Sequence, residues 1–221
     1  MTNSVSSSNN SDKPQVYSRE SKPFGRSWEE WSAIWWQWCS TDPEESNPVA
    51  DKTGESCNKN QNDPNVWFLA GTFGGKAERT CIIPAGKAIL FPIINDLISY
   101  AEYNDLKTES ELRFYAKSDL DETTVYNATV DGVELQNLEN YRVQSHLFSF
   151  IFTPDDPAEV PAGPTFGVSD GYWVFLRPLS VGQHTIHFTG QKLKFDEIQN
   201  SNYTCEKPKF HVEVKYHLIV T

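Results

Sequence analysis

Two carboxylates stand where their surroundings could fit them for acid–base chemistry. Asp96 follows the apolar run 87–94 and Asn95, and Asp170 stands just ahead of Gly171-Tyr172-Trp173. A carboxyl group buried beside aromatic strands keeps its proton to higher pH. Two carboxyl groups of different pKa are what glycoside hydrolysis uses. Glu78, Glu102 and Asp105 are further acids that such a pair could draw on. Asp also fills turns and strand ends routinely, and that plainer reading carries more weight at both positions.

The five histidines raise the question of a metal. His184 and His187 are three apart, which puts them on opposite faces of a strand. His211 and His217 share a face, yet six residues of strand separate them by roughly 20 Å. A metal site would need His187 to meet His211 or Glu213 across neighbouring strands, whereas polar side chains on a solvated sheet face need no such role. Asp119, Asp121 and Glu122 lack the glycine and spacing of a calcium loop. There is no Gly-x-Ser-x-Gly elbow, and Gly71-Thr72-Phe73-Gly74-Gly75 lacks the Lys-Ser/Thr of a phosphate loop. No cofactor is expected.

Aromatic rings offer a third kind of chemistry, stacking on the apolar faces of sugars. Trp36, Trp67, Tyr172 and Trp173 are the candidates. Trp28, Trp31, Trp35 and Trp38 are spaced three, four and three apart and form one helical stripe with Ile34, which reads as a core contact. Trp36 falls off that stripe and must find a different environment.

These side chains need elements to hold them. Ser27 and Glu30 form a capping box that opens a helix over 28–39, and Thr108 with Glu111 opens a short second one. Residues 42–65 are dense in Asn, Asp, Pro and Gly and read as a long irregular loop that needs a tie or a function. Short apolar runs with frequent turn signals follow, including Asp131-Gly132, a strong hairpin signal. The segment 87–94 reads as buried on both faces, and 210–220 alternates like a half-buried antiparallel strand. Together they predict a mainly β domain over 24–221, an antiparallel β-sandwich or jelly roll, with the Trp-rich helix packed on it. Residues 1–23 lack apolar periodicity and read as a flexible leader.

With 19 Lys plus Arg against 30 Asp plus Glu, the net charge of −11 disfavours nucleic acid. No apolar run reaches the length of a membrane span, and the polar start has no signal-peptide core. Four cysteines, Cys39, Cys57, Cys81 and Cys205, allow three pairings. Their even number, the single Met and the many aromatics favour an extracytoplasmic or secreted location.

Several stretches form a familiar set: 25–31 with Trp35-Trp36-Gln37-Trp38, 66–72, 81–87 with Phe91-Pro92, 169–174 and 182–188. Together they resemble a widespread family of hypothetical microbial proteins, many of which look secreted. The resemblance spans about residues 24–190 and brings no established activity, so it assigns no catalytic residue. It implies that Cys57 and Cys81 belong together, while Cys39 and Cys205 are particular to this chain and their pairing stays open. The expected function is a non-catalytic binding or surface-assembly module. Its partner would be a glycan, a protein surface or a second copy of the chain. The alternative is a hydrolase of a polymeric substrate, and two carboxylates sharing an aromatic-lined cleft would favour it.

Overall fold

The computed structural model describes residues 14–40, 43–154, 160–193 and 208–221. In chain order these residues form α1 (Trp28–Cys39), β1 (Val66–Phe68), β2 (Gly75–Ile83), β3 (Ala88–Ser99) and α2 (Glu109–Asp121). There follow β4 (Thr123–Val130), β5 (Val133–Glu134), β6 (Arg142–Gln144), β7 (Phe148–Phe152), β8 (Gly163–Leu176), β9 (Gly182–Leu193) and β10 (Pro208–Val220). One sheet runs β1-β3-β8-β6, with β7 also paired to β8; the other runs β2-β10-β9-β4-β5.

The protein is mainly β with the Trp-rich helix packed on it, as the periodicities require, but the sheets are mixed rather than purely antiparallel. β1 runs parallel to β3 and β2 runs parallel to β10. After β1 the chain crosses to the other sheet to make β2 and returns as β3, so β1 and β3 end up side by side in one direction. Alternation reports which face is buried, not which way a neighbour runs, and the parallel pairs were invisible to it.

The two sheets share one core. Ile89, Phe91 and Ile93 of β3 and Val174 and Leu176 of β8 meet Phe188 of β9 and Val214, Tyr216 and Leu218 of β10. Phe91 and Phe188 stack with ring centroids 5.0 Å apart. The opposite face of β3 and β8 is covered by α1, whose Trp28, Trp31, Trp35 and Trp38 pack against Phe68, Leu90, Trp173 and Phe175. The capping box is in place, with Glu30 N–H donating to Ser27 Oγ and Ser27 N–H to the Glu30 carboxylate. Trp31 Nε1 donates to Pro23 O and Trp35 Nε1 to Leu69 O, each at 2.9 Å, so both rings are buried without an orphan donor. The turn between β4 and β5 has positive φ at both Asp131 (51°) and Gly132 (76°), the hairpin geometry that Asp-Gly favours.

Residues 14–23 correct the leader reading. Val16 bridges to Leu176, Tyr17 N–H donates to Phe175 O and Arg177 N–H to Gln15 O, so this segment is pinned along the end of β8. It lacks periodicity because its hold is backbone pairing to β8, the Tyr17 ring against Phe175, and contacts to α1, where Trp28 and Trp31 donate to Ser18 O and Pro23 O and Arg19 pairs with Glu29. Residues 1–13 lie outside the described residues. No helix among the described residues is long and apolar enough to cross a membrane.

The long loop is tied twice. Cys57 and Cys81, 24 residues apart, form a disulfide, and the fully buried Arg79 reaches back into the loop from β2. Cys39 is buried in the last turn of α1, and Cys205 lies outside the described residues.

Two outcomes test this frame. Trp31→Ala should lower the unfolding free energy by about 3–5 kcal/mol in denaturant titrations, as expected for deleting a buried indole. Cys57→Ser with Cys81→Ser should lower it by about 3 kcal/mol, the loop-closure contribution of the crosslink. The loss in the double variant should match that of the reduced wild type.

Candidate functional site

A cavity of about 410 Å³ opens beside the C-terminal turn of α1. Trp35, Trp36, Cys39 and Ser40 form one wall, and Asn47, Val49, Gly71, Thr72 and Phe73 another. The floor is 92–97 of β3, closed by Glu102, Phe152, Phe210 and Val212. The lining therefore combines rings with the polar residues Asn95, Asp96 and Glu102.

A bulge in β3 places Asp96 there. The β3–β8 register shifts between Pro92 and Ile94, at a proline that has no N–H to give the ladder. Before the bulge, odd-numbered Ile89, Phe91 and Ile93 enter the shared core. After it, Ile94 lies against β9, where a Cβ on Gly190 would come within 2.6 Å of the Ile94 Cβ. Asp96 follows on the same side and faces Lys192 of β9.

Asp96 Oδ1 accepts from its neighbour Leu97 N–H at 3.0 Å. Its side chain is hydrogen-bonded to that of Asp119 on α2, and Lys192 Nζ lies 3.8 Å from its Oδ2. Lys192 makes its closer ion pair with Asp119. Burial is the main influence on Asp96 and pushes its pKa up to about 8; Lys192 opposes this and the Asp119 carboxylate adds to it. Asp96 therefore holds its proton more tightly than an ordinary carboxyl group. About a third of its side chain (31%) remains exposed, and Asp96 is among the residues that line the cavity. Glu102, in the turn after β3, presents a second carboxylate to the same cavity and accepts from Ser99 Oγ at 2.7 Å.

Trp36 is half-buried and packs edge-on against Trp35, with centroids 5.2 Å apart. Its Nε1–H and the Nδ2 of Asn95 are shielded from solvent and have no hydrogen-bond partner among the described residues. Each orphan donor of this kind costs about 1–3 kcal/mol.

Of the other residues singled out from sequence, Asp170 sits directly opposite Asp96 in the β3–β8 ladder. Its carboxylate is gripped by Arg142, Nε to Oδ1 and Nη2 to Oδ2, each at 3.0 Å, and it does not line the cavity. Burial still holds the Asp170 carboxyl above its ordinary value, with Arg142 pulling the other way. Trp67 and Trp173 are core residues. Tyr172 stacks on Tyr126 at 4.3 Å. The cavity takes only Trp36 from that aromatic set.

His187 and His211 both approach Glu213, at 3.5 and 3.6 Å, but Lys76 already holds that carboxylate at 2.8 Å. No group of three or more His, Cys, Asp or Glu side chains among the described residues has the arrangement to hold a metal ion. Lys192 carried no local signal, and Asp119, weighed from sequence only for calcium, could not be tied to Asp96, since the link between β3, α2 and β9 is tertiary. Glu102 carried no local signal beyond being one acid among many.

No family model matches the chain, and no curated protein matches it. The chain is distantly similar to the cysteine protease inhibitor EhICP2 from Entamoeba histolytica, at 11% identity and a TM-score of 0.22, over 67% of this chain and 88% of that one. It is similar to Amebosin at 9% identity and a TM-score of 0.16, over 66% of this chain and 96% of that one. Likeness at this level carries no argument about fold or function.

The proton on Asp96 leaves a mark on stability. The folded chain keeps a proton that the unfolded chain releases around 3.8, so this group favours the fold most at acid pH, and that contribution is lost as pH rises toward about 8. Asp96→Asn should be no more stable than the wild type near pH 4 and should gain on it steadily up to about pH 8, measured by urea midpoints. A constant difference across that range would show that Asp96 titrates normally.

Proposed function

We propose that the chain is an extracytoplasmic recognition module on a β-sandwich scaffold, and that the cavity beneath α1 holds the end of a glycan. The aromatic-walled cavity with a mixed polar floor carries this reading. Pockets for small ligands combine apolar walls with a few placed polar groups, and 410 Å³ is ample for one sugar ring. The rings of Trp36, Phe73, Phe152 and Phe210 suit the C–H faces of a pyranose, while its hydroxyls can donate to the carboxyl group of Glu102. An anionic ligand would meet the Glu102 carboxylate, and the nearby cation, Lys192, is engaged by Asp119 and Asp96. The Cys57–Cys81 crosslink supports an oxidising location.

Tryptophan fluorescence of the full chain, titrated with cello-, xylo-, manno- and chito-oligosaccharides, should shift for at least one series. Trp36→Ala should abolish the shift while costing clearly less stability than Trp31→Ala, because its ring is half-buried rather than enclosed. A shift that survives Trp36→Ala places the ligand elsewhere.

A further inference from the structure

Resting on the reading of the cavity as a sugar site, we propose that the exposed rings of Tyr103, Phe114 and Tyr115 extend that site. The ligand is then a linear, uncharged oligosaccharide, with one end in the cavity and its next sugars on the rings. The fold leaves these three side chains in solvent, at 42%, 64% and 45% exposure. They form one patch. The Tyr103 and Tyr115 rings lie nearly parallel (16°) with centroids 6.4 Å apart, and Phe114 stands edge-on to Tyr115 at 5.6 Å. The buried side chains of α2 are Leu112, Ala116 and Leu120, so Phe114 and Tyr115 are not its core contact. A contiguous apolar patch is unfavourable in water, and such patches mark binding surfaces.

Two links place the patch beside the cavity. Tyr103 directly follows Glu102, which lines the cavity, so their Cα atoms are about 3.8 Å apart. Tyr115 stands one helical turn before Asp119, whose side chain is hydrogen-bonded to Asp96 of the cavity floor. The Tyr103–Tyr115 stack joins the two. A ligand that leaves the cavity at Glu102 therefore meets these rings next. Charge then selects among ligands that stack on rings. Nucleobases stack readily, but their phosphate backbone needs a basic groove. The cations of this stretch are already engaged: Lys107 by Asn104 O, Arg113 by Glu109 and Lys117 by Asp121. With a net charge of −11 on the chain, a neutral sugar is the stacking ligand that meets no repulsion.

Isothermal titration calorimetry of the full chain tests this, using the same four series from disaccharide to hexasaccharide. Affinity should rise with length in the series that binds. Phe114→Ala combined with Tyr115→Ala should remove that rise, weakening the hexasaccharide by about tenfold while leaving the disaccharide unchanged. Tyr115→Phe keeps the stacking face and should keep the rise. Urea midpoints of the double variant should stay close to the wild type, since both rings are exposed. Trp36→Ala acts in the cavity and should weaken every length. Equal affinity at all lengths, or a rise that the double variant retains, overturns the extended site and leaves the cavity reading standing. Self-association of the wild type in sedimentation velocity, abolished in the double variant, would give the patch to a second copy and overturn it too. If no series binds at any length, the cavity reading falls and the extension falls with it.

Discussion

Arg79 holds the irregular half of this protein together. Its side chain comes up from β2 into a fully enclosed space and places all five of its N–H donors. Nε donates to Asp51 O, Nη1 to Ala70 O and Tyr216 Oη, and Nη2 to Val49 O and Gly71 O. The Tyr216 hydroxyl is complete as well, donating to Ala70 O while accepting from Ala70 N–H and Arg79. A buried charge is costly when its hydrogen bonds are incomplete, and here four backbone carbonyls and one phenol share it. Lysine, with three donors on a single atom, could not span the same points. The segments so gripped include Val49 and Gly71, which are walls of the cavity, so a positioned cavity depends on this one guanidinium.

Once Arg79 is in place, the long loop needs little regular structure of its own. Asp51 accepts from the N–H groups of Thr53, Gly54 and Ser56, which curls the chain toward the disulfide. Gln61 then behaves as a one-residue strand: its amide accepts from Phe68 N–H and donates to Phe68 O, covering the open edge of β1. Asp63 takes the N–H groups of Asn65 and Val66 at the entry to that strand. A segment rich in Asn, Asp and Gly is suited to this work, because short polar side chains can satisfy backbone groups that no ladder reaches.

What could be read from sequence was what the local chain decides. The Trp stripe, both capping boxes and the Asp131-Gly132 turn depend on residues within a few positions of one another, and all formed. Strand direction, the bulge at Pro92 and the partners of Arg79 depend on segments brought together only by folding. The aromatic candidates illustrate the same boundary. Strand alternation puts Tyr172 and Trp173 on opposite faces of β8, which in a sheet with one wet face would leave one of them in solvent. Here α1 covers the Trp173 side and the second sheet covers the other, so neither face of β8 is left open at that point. Trp36 could be singled out because an amphipathic helix has one buried arc, and that arc was already spent.

The two aspartates picked out at the start show how tertiary partners decide chemistry that residue type leaves open. Asp96 and Asp170 face each other across one strand pair, and both are pushed upward by burial. Asp170 is met by a guanidinium that Gln144 assists, two near-parallel hydrogen bonds that spend both carboxylate oxygens on holding β6 to β8. Asp96 meets Leu97 N–H, the Asp119 side chain and a lysine that Asp119 holds more closely, so the opposing charge is weaker and burial pushes its pKa up further. An apolar side chain at position 96 would avoid that cost, and so would a second arginine. A carboxyl group whose pKa burial raises, set beside a cavity and tied to α2 through Asp119, runs against the local preference for a paired charge. The raised pKa and the cavity therefore coincide at one strand position, set by the bulge at Pro92 and by partners on α2 and β9.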